Sequence, residues 1–419
     1  MNILLINHYA GSPEMGMEFR PWYFAREWIR QGHRVDIIAA DYSHLRRINP
    51  EVTRDWQKEV IDGITYHWVK TGTYQGNGAA RALTMERFTR KIWEYAGWIV
   101  REMSPDIVIC SSTYPLDTYA GQRIRSVAAG MGRKRPILVQ EVHDMWPSTL
   151  TEIGGMSKTN PFVVVMQVAE NSAYRNSDHV IAMQPFSEPY MREHGLKAGK
   201  FTHIPLGIDL SEWDDSEELS EEHRCAIAAH REKYPFIVGY FGGHAMSNGL
   251  EVLLDAAAIS RERSMPVGFV LVGSGVEKQG LMERAARESL ENVIFLDPVP
   301  KTQIPALTEC FDAIYMGARR SPLYERFGLC MNKMADSMMS GKPVICSMTV
   351  PSTWVTDSGC GITVPAEDPE AVIDAVKRIS EMSPDEIRLM GEKGRKYCEE
   401  NLEVGYLADK MLKACCNKQ

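Results

Sequence analysis

A chain of 419 residues is long enough for two domains, and its 44% hydrophobic and 24% charged residues are ordinary for a soluble globular enzyme. A formal net charge of −8 argues against a nucleic-acid-binding protein, because such proteins are usually basic. Nine scattered cysteines without a CxxC pair and no apolar run of roughly 18 residues argue against a disulfide framework and a membrane span, so we expect a cytosolic protein.

The first half of the chain follows a strand–helix–strand pattern. Apolar runs that predict strands lie at 2–7, 33–40, 107–110, 137–140 and 179–183. A helical pattern from about 19 to 31 separates the first two runs, so they form a βαβ unit, which implies a parallel sheet. The loop after the first run lacks Gly-x-Gly-x-x-Gly, and the pattern therefore does not support dinucleotide binding there.

One long helix is predicted from Ala79 to Met103. Its basic and aromatic residues lie close together: Arg81, Arg87, Arg90, Lys91, Trp93, Tyr95 and Trp98. Either this helix rests on a membrane, as basic residues beside interfacial aromatics indicate, or it is a surface helix with its aromatics packed inward. Residues 1–209 hold 24 Lys and Arg against 22 Asp and Glu, which leaves 23 against 33 for the remainder. This half can therefore meet an anionic surface.

An acidic segment at 214–222 separates this half from a second α/β pattern. We predict an N-terminal domain at 1–209, a C-terminal domain at 210–400 and a terminal helical segment at 401–419. The later strand candidates lie at 236–241, 269–272, 293–296, 313–316, 344–346 and 361–364. Gly242-Gly243 and Gly273-Ser-Gly275 each close a strand before a helix, where doubly wound sheets hold their ligands.

The segment from Arg319 to Cys346 predicts a loop, a short helix and a buried strand. On the helix, Asn332 and Asp336 share a face, and Lys333 lies near the N-terminal end, where free amides favour phosphate. An alternative interpretation is an ordinary amphipathic helix that buries its methionines. With the two glycine turns and Arg319-Arg320, however, the segment indicates a phosphate-bearing ligand.

The sequence contains no Asp-x-Asp, no His/Cys cluster with metal-ligand spacing and no Gly-x-Ser-x-Gly. A sugar-nucleotide enzyme of this sequence would need Lys, Arg and helix amides, instead of a bridging cation, to neutralise a diphosphate. We therefore expect no cofactor and no metal.

These residues resemble the family 4 glycosyltransferases of the GT-B fold, and in particular the bacterial O-antigen and capsule subgroup that includes L-fucosamine transferases. The resemblance covers nearly the whole chain and rests on Asn7-His-Tyr-Ala-Gly11, Gly16-Met-Glu-Phe-Arg-Pro21, Glu141-Val-His-Asp-Met-Trp-Pro147, Ile204-Pro-Leu-Gly-Ile-Asp209, Tyr240-Phe-Gly-Gly-His244, Asn248-Gly-Leu250, Phe327-Gly328, Asn332-Lys-Met-Ala-Asp336 and Gly341-Lys-Pro-Val344.

The resemblance implies two Rossmann-like doubly wound domains that face a central cleft, with the terminal helix crossing back to the N-terminal domain. A nucleotide-sugar donor, expected to be a UDP-sugar, would occupy the C-terminal domain. The donor-binding candidates are Gly242, Gly243, His244, Asn248, Gly273, Arg319, Arg320, Phe327, Gly328, Asn332, Lys333 and Asp336. His244 and Asn248 stand where the family has an Arg and a Lys, so we assign the diphosphate to Lys333, aided by Arg319 or Arg320.

The resemblance also implies retention of anomeric configuration without a metal. His143 matches a family histidine at the reacting centre, while hydrogen bonding to Asp144 in its loop is an equally good interpretation. Alignment on Gly341 makes Asp336 the ribose ligand, and alignment on Phe327-Gly328 makes Glu325 a donor-sugar residue. The acceptor-side candidates are His8, Gly16, Glu18 and Arg20, although a structural ion pair of the last two is an open alternative.

The resulting hypothesis is a cytosolic glycosyltransferase, associated with the inner face of the plasma membrane. It would move a HexNAc or deoxy-HexNAc from a UDP-sugar to a lipid-linked or polysaccharide acceptor of surface-glycan assembly. Two alternatives are a sugar-nucleotide epimerase of the same fold and a non-catalytic protein with a degenerate donor pocket. A nicotinamide-dependent enzyme fits poorly, because neither half has the full dinucleotide fingerprint.

Overall fold

The computed structural model describes residues 1–16, 20–76 and 78–416. The chain divides into two compact units, of which unit 1 comprises Met1–Pro205 with Val404–Gln419 and unit 2 comprises Leu206–Glu403. These divisions lie close to the boundaries expected after 209 and 400. The terminal segment that the family resemblance assigns to the N-terminal domain belongs to unit 1.

Unit 1 contains one eight-stranded sheet. Its strands are β1 (Asn2–Ile6), β2 (Arg34–Ala40), β3 (Gln57–Ile61), β4 (Ile64–Val69), β5 (Ile107–Cys110), β6 (Ile137–Val142), β7 (His179–Ala182) and β8 (Phe201–His203). They follow the order β3-β4-β2-β1-β5-β6-β7-β8. Neighbours are parallel, except that β3 and β4 form an antiparallel hairpin. The predicted parallel α/β architecture is therefore confirmed for this unit.

Helices cover both faces of the sheet in unit 1. They are α1 (Arg20–Arg30), α2 (Ala79–Glu94), α3 (Ala96–Met103), α4 (Asp117–Gly130), α5 (Ser148–Glu152), α6 (Pro161–Asn176) and α7 (Glu188–Glu193). Successive residues of a strand point to opposite faces, so Leu5 packs in the layer of α1 while Leu4 packs in the layer of α3 and α4. This two-sided burial explains why the central strands of the sheet are mostly apolar, whereas the edge strand β3 is polar and largely exposed.

The single helix predicted from Ala79 to Met103 is two helices. The chain leaves helical geometry at Tyr95, with φ −89° and ψ 8°, and α3 begins at the next residue. The break places Trp93 and Tyr95 on the surface at 44% and 45% exposure, whereas Phe88 is fully buried. Gly97, a weak helix former, lies two residues after Tyr95 and inside α3, so the sequence offers a signal near the break but none at Tyr95 itself.

Unit 2 contains a six-stranded, fully parallel sheet. Its strands are β9 (Phe236–Phe241), β10 (Val267–Val272), β11 (Val293–Leu296), β12 (Ala313–Gly317), β13 (Val344–Ser347) and β14 (Gly361–Val364). They follow the order β11-β10-β9-β12-β13-β14. All six strands coincide closely with the later apolar runs of the sequence, so the second α/β pattern is confirmed as well.

The helices of unit 2 again lie on both faces of the sheet. They are α8 (Ser211–Asp214), α9 (Glu221–Lys233), α10 (Leu250–Glu262), α11 (Lys278–Arg287), α12 (Ile304–Glu309), α13 (Pro322–Phe327), α14 (Asn332–Met339), α15 (Trp354–Ser358), α16 (Pro369–Ser380) and α17 (Pro384–Asn401), with 3-10 turns at Met246–Asn248 and Lys301–Gln303. Val238 packs in the layer of α10 and α16, whereas Ile237 packs with α9 and α12.

The last helix, α18 (Val404–Cys416), belongs to unit 1 and packs against α1. The indole nitrogen of the fully buried Trp28 donates to the Ala408 carbonyl oxygen over 3.1 Å. Burial of a side chain of this size stabilises the folded state by about 1.5–3 kcal/mol, so α18 contributes to the core of unit 1. Among the helices within the described ranges, none is long and apolar enough to cross a membrane.

Candidate functional site

Two glycine-containing loops of unit 2 approach each other at the carboxyl ends of neighbouring strands. The loops follow β9 and β10, which pair in parallel. A Cβ atom on Gly273 would lie 1.9 Å from the carbonyl oxygen of Gly242, and one on Gly275 would lie 2.3 Å from that of His244. Their φ angles of +151° and +156° also favour glycine. Glycine is therefore needed here for backbone packing between the two loops.

A cavity of about 240 Å³ opens beside these loops and the segment after β11. Its wall contains Gly242, Gly243, Gly273, Pro298, Val299 and Ile304. An apolar wall with exposed backbone polar groups, at the carboxyl edge of a parallel sheet, is typical of a ligand cavity. Three predicted donor residues thus line one cavity.

Lys333 extends from the first turn of α14 toward the glycine turn after β9. Its Nζ donates to the Tyr240 hydroxyl over 3.0 Å and to Oδ1 of Asn248 over 2.8 Å. The Tyr240 hydroxyl and the Asn248 amide each donate to the Gly243 carbonyl oxygen over 2.7 Å. Burial lowers the pKa of Lys333 to about 7. The ammonium group is therefore held by neutral oxygens at the glycine turn, where it can accept an anionic partner.

Tyr240 is a further residue of this site, and the sequence pattern did not predict it. Its ring lies beneath the Lys333 ammonium, with Nζ 4.5 Å from the ring centroid, which adds a cation–π contact to the hydrogen bond. The only available signal was its place on the strand that ends in Gly242-Gly243. Strand alternation does not tell an ordinary core tyrosine from one whose hydroxyl contacts the glycine turn and Lys333.

His244 lies buried between the two loops. Neither ring nitrogen has a hydrogen-bond partner within the described part of the chain, and the ring stands 5.8 Å from that of Tyr240 and 6.2 Å from that of Phe295. Burial, with smaller contributions from Lys278 and Lys333, lowers the pKa of His244 to about 4. The imidazole is therefore neutral at pH 7 and can offer one donor and one acceptor to a ligand.

Asp336 lies one turn after Lys333 on α14, and Asn332 is the exposed first residue of that helix. Burial raises the pKa of Asp336, while the Lys301 ammonium and a hydrogen bond from Trp213 act in the opposite direction. The structure therefore brings Asp336 beside Trp213 of α8, a neighbour the sequence did not indicate. The carboxylate can still accept hydrogen bonds from hydroxyl groups.

Arg319 and Arg320 form ion pairs with other side chains of unit 2. Arg319 pairs with Glu251 of α10. Arg320 donates from Nε to Oε1 of Glu325 over 2.6 Å. The structure thus joins Arg320 and Glu325, two predicted site residues, to each other. It does not join either arginine side chain to the Lys333 group.

Phe327 and Gly328 end α13. The Phe327 ring is 1% exposed and lies 4.3 Å from the Arg326 guanidinium, and Gly328 has φ +78°. Phe327 is therefore placed as a packing residue, and Gly328 permits the left-handed turn that leads toward α14. Both position the segment that carries Lys333.

In unit 1, His143 follows β6 and belongs to a buried polar group. Its Nε2 lies 2.9 Å from the Ser111 hydroxyl and 3.1 Å from Oε2 of Glu141. Asp144, the alternative partner, accepts hydrogen bonds from Thr149 Oγ1 over 2.6 Å and from the Met145 amide, and His143 also acts on it electrostatically. The carboxylate of Glu141 thus orients the His143 ring.

Arg20 lies on the other side of the same carboxylate. Its Nε donates to Oε1 of Glu141 over 2.8 Å, and its remaining nitrogens donate to the carbonyl oxygens of Ile204 and Pro205. Burial by itself would raise the pKa of Glu141, but Arg20 and His143 hold it below its usual range. The Arg20 side chain is therefore engaged in a structural ion pair with Glu141, a partner the sequence analysis did not name.

The other acceptor-side candidates are less closely connected. His8 is buried, and its Nδ1 lies 2.6 Å from the Tyr114 hydroxyl. Gly16 adopts φ +75° beside Arg47, and Glu18 lies outside the described residues. The structure does not bring His8 and Gly16 into the group of Arg20, Glu141 and His143.

Comparison with known families assigns both halves of the chain. Residues 15–207 match the family model described as "Glycosyl transferase 4-like domain", and residues 235–382 match the one described as "Glycosyl transferases group 1". Together the two models cover most of the chain. The chain is a glycosyltransferase. A comparison with curated proteins found no significant match.

Solved structures show that this glycosyltransferase has the GT-B fold. Sucrose-phosphate synthase from Thermosynechococcus elongatus superposes with a TM-score of 0.70 at 19% identity, over 98% of this chain and 97% of that one. HepE from Anabaena, in complex with UDP and glucose, gives 0.65 at 17% over the full length of both chains. WaaG, a glycosyltransferase involved in lipopolysaccharide biosynthesis, gives 0.63 at 12%, over 99% and 100%.

Within residues 1–16, 20–76 and 78–416, no group of three His, Cys, Asp or Glu side chains is placed to hold a metal ion. The cation that the structure does place at the glycine turn of unit 2 is Lys333. The glycosyltransferase therefore presents a lysine, a buried neutral histidine and a glycine-lined cavity at the carboxyl edge of its second sheet.

Proposed function

We propose that this glycosyltransferase is a retaining, metal-independent enzyme that uses a UDP-sugar. The donor would occupy the glycine-lined cavity of unit 2, with its diphosphate on Lys333 and its ribose on Asp336. The transferred sugar would be a HexNAc or deoxy-HexNAc, and the acceptor a lipid-linked or polysaccharide glycan of surface assembly, as in the O-antigen and capsule subgroup.

The observation that carries this proposal is the position of the Lys333 ammonium. It lies over Tyr240, is bonded to neutral oxygens, and stands at a glycine turn whose backbone can approach a phosphate closely. A diphosphate would supply the charged acceptor that Tyr240 and Asn248 only partly replace. The complex of HepE with UDP and glucose supports the choice of a uridine nucleotide.

In the proposed reaction, the bond between the anomeric carbon and the donor phosphate breaks while a bond to the acceptor oxygen forms on the same face of the sugar. The acceptor hydroxyl proton passes to the leaving phosphate, so no side chain needs to form a covalent intermediate. His143, oriented by Glu141, and Glu325 are assigned to positioning and electrostatic stabilisation of the reacting groups.

The test of this function is a calorimetric titration of the protein with UDP and with GDP, each with and without EDTA. We expect UDP to bind more tightly than GDP, with an affinity that EDTA does not change. Binding of neither nucleotide would contradict the proposal and favour a protein with a degenerate donor pocket. Conversion of the donor sugar without any acceptor would instead identify an epimerase.

The affinity for UDP should depend on pH through Lys333. Its pKa of about 7 in the free protein would rise on contact with a diphosphate, so binding takes up a proton above pH 7. Because the pKa of Lys333 is higher in the complex than in the free protein, the affinity for UDP should fall about tenfold per pH unit between roughly pH 7.5 and 9. In this range the phosphates of UDP are themselves fully ionised. Calorimetric titration with UDP across this pH range measures the predicted fall in affinity. Lys333→Met should remove the pH dependence of UDP binding.

We also propose that unit 1 contacts the inner face of the plasma membrane through the region of α2 and α3. The exposed Trp93 and Tyr95 support this, as does Met131 at 41% exposure. The Arg123 guanidinium lies 5.3 Å from the Trp93 ring, which pairs a cation with an interfacial aromatic. Arg90 and Lys91 instead pair with acidic side chains, so they contribute less charge than the sequence indicates.

Replacing Trp93 and Tyr95 together with alanine should reduce co-sedimentation with vesicles of anionic phospholipid about tenfold, because two interfacial aromatics are lost. The matched control is Tyr406→Ala, which removes a 47% exposed tyrosine from α18 of the same unit. Equal vesicle binding by the double variant and the wild type would contradict the proposed surface.

A further inference from the structure

A second group of side chains lies at the carboxyl edge of the sheet in unit 1, next to the group of Arg20, Glu141 and His143, and two of its members, Tyr114 and Trp146, line one pocket with Glu141. We name it the aromatic–basic cluster and define it as Tyr9, His44, Tyr74, Arg81, Tyr114 and Trp146. Its five ring residues follow β1, β2, β4, β5 and β6. These strands are parallel, so their carboxyl ends share one edge, where α/β sheets hold their ligands.

The members of the cluster hold each other in place. The Tyr9 ring lies 5.7 Å from that of His44 and 6.2 Å from that of Tyr114, both edge to face. His44 Nδ1 lies 2.7 Å from the Tyr74 hydroxyl. Arg81 donates from Nε to the Tyr9 hydroxyl over 3.2 Å. Buried tyrosines thus form a rigid base beneath the more exposed His44 and Arg81.

Arg81 connects the base of the cluster to Trp146. Its guanidinium carbon lies 5.4 Å from the Tyr9 ring centroid and 6.0 Å from that of Trp146. Trp146 is partly exposed and packs edge-on against Phe162 at 6.2 Å. A planar cation beside a partly exposed indole offers a charged group and an apolar face to the same ligand.

The cluster has positive charge around Arg81 and His44, whereas Glu141 and Asp144 line a pocket together with Tyr114 and Trp146, and Glu141 is paired with Arg20. Burial lowers the pKa of His8 beneath it, and Arg46, Arg81 and His44 lower it further. Arg81 stands in the first turn of α2, which contains no acidic residue and carries the positive end of the helix dipole. The nearby carboxyl group of Asp117 is fully buried, and burial raises its pKa to about 7, which weakens its negative charge.

We propose that the aromatic–basic cluster binds the acceptor through a sugar phosphate. The phosphate would accept hydrogen bonds from the Arg81 guanidinium and the His44 imidazole, and the sugar ring would pack on Trp146. This inference rests on the proposed glycosyltransferase function, because it specifies the chemistry of the acceptor. The phosphate could belong to a lipid diphosphate-linked glycan or to a soluble glycosyl phosphate.

The test is NMR titration of protein labelled with ¹⁵N at tryptophan, with the Trp146 indole signal assigned by Trp146→Phe. The probes are N-acetylglucosamine 1-phosphate, N-acetylglucosamine, inorganic phosphate and a short-chain prenyl diphospho-N-acetylglucosamine. We expect the phosphorylated sugars to shift the Trp146 signal and to bind at least about tenfold more tightly than the neutral sugar. Tighter binding of the prenyl probe indicates a lipid-linked acceptor, and equal binding indicates a soluble one.

Arg81→Gln should weaken binding of every phosphate-bearing probe about tenfold or more and leave binding of the neutral sugar unchanged. The matched control is Arg90→Gln, which removes an arginine from the exposed face of the same helix. It should change neither the binding of the phosphate-bearing probes nor that of the neutral sugar. His44→Gln, at an exposed position, provides a second test if Arg81→Gln disturbs folding.

The proposal is overturned if phosphorylated and neutral sugars bind equally, or if the phosphate-bearing probes show no dependence on Arg81 and His44. UDP titration of the same samples separates this outcome from failure of the proposed function. UDP is assigned to unit 2, so its binding should persist in all three variants. If the protein binds the sugar phosphates but not UDP, the result supports the sugar phosphate site of unit 1 and contradicts the proposed UDP-sugar donor.

Discussion

Replacing Lys333 with alanine should weaken UDP binding about ten- to a hundredfold while leaving uridine binding nearly unchanged, because a charge-assisted contact to the diphosphate contributes about 1.5–3 kcal/mol. Lys333 carries a positive charge to the glycine turn of unit 2, and its Nζ is held there by Tyr240 and Asn248. The nucleoside lacks the phosphates, so the loss should appear only with the diphosphate. Calorimetric titration with both ligands measures the difference.

Lys377→Ala is the control for that experiment. Lys377 is a 61% exposed lysine of α16 in the same unit, and it pairs with Glu381 on the helix surface. Its removal should change neither the affinity for UDP nor the affinity for uridine. A parallel loss of UDP and uridine affinity in Lys333→Ala would show that the lysine supports the structure of the loop, and no loss would remove it from the donor site altogether.

Replacing Glu141 with glutamine should destabilise unit 1 by about 3–5 kcal/mol, because it leaves the buried Arg20 guanidinium without its carboxylate. Glutamine keeps nearly the same shape, so the effect isolates charge from packing. For a domain of this size such a loss lowers the melting temperature by on the order of 10 °C, measurable by calorimetric scanning. His143 would also lose its carboxylate partner, so activity should fall with stability.

The control for Glu141 is Glu86→Gln. Glu86 forms an exposed ion pair with Arg90 on α2, and loss of such a pair costs less than about 1 kcal/mol. A destabilisation by Glu141→Gln no larger than that of the control would refute the structural role assigned to the pair. The folded pKa of Glu141 lies below its unfolded value, so the contribution is present at neutral pH and is lost as the solution becomes acidic.

The amino-acid sequence was sufficient for the elements whose signal is local. The apolar runs of both halves became parallel strands of two sheets, because a strand that is buried on both faces is apolar at most positions. The glycines of the turns after β9 and β10 marked places where backbone meets backbone. The short helix predicted before Gly341, whose φ is +70°, is α14, although it begins only at Asn332. The loop predicted before that helix was wrong in part, because it contains α13 (Pro322–Phe327).

Tertiary structure alone decided which of these residues meet. Lys333 reaches Tyr240 and Asn248 because the sheet order places β9 beside β12, an arrangement that no local pattern specifies. Arg20 and Glu141 are separated by 121 positions, so their ion pair could not be derived from spacing. The interruption between α2 and α3 falls at Tyr95, two residues before Gly97, so this weak helix former did not by itself locate the break. Local patterns determine strands and helices, whereas contacts between distant segments depend on the order in which the sheet assembles them.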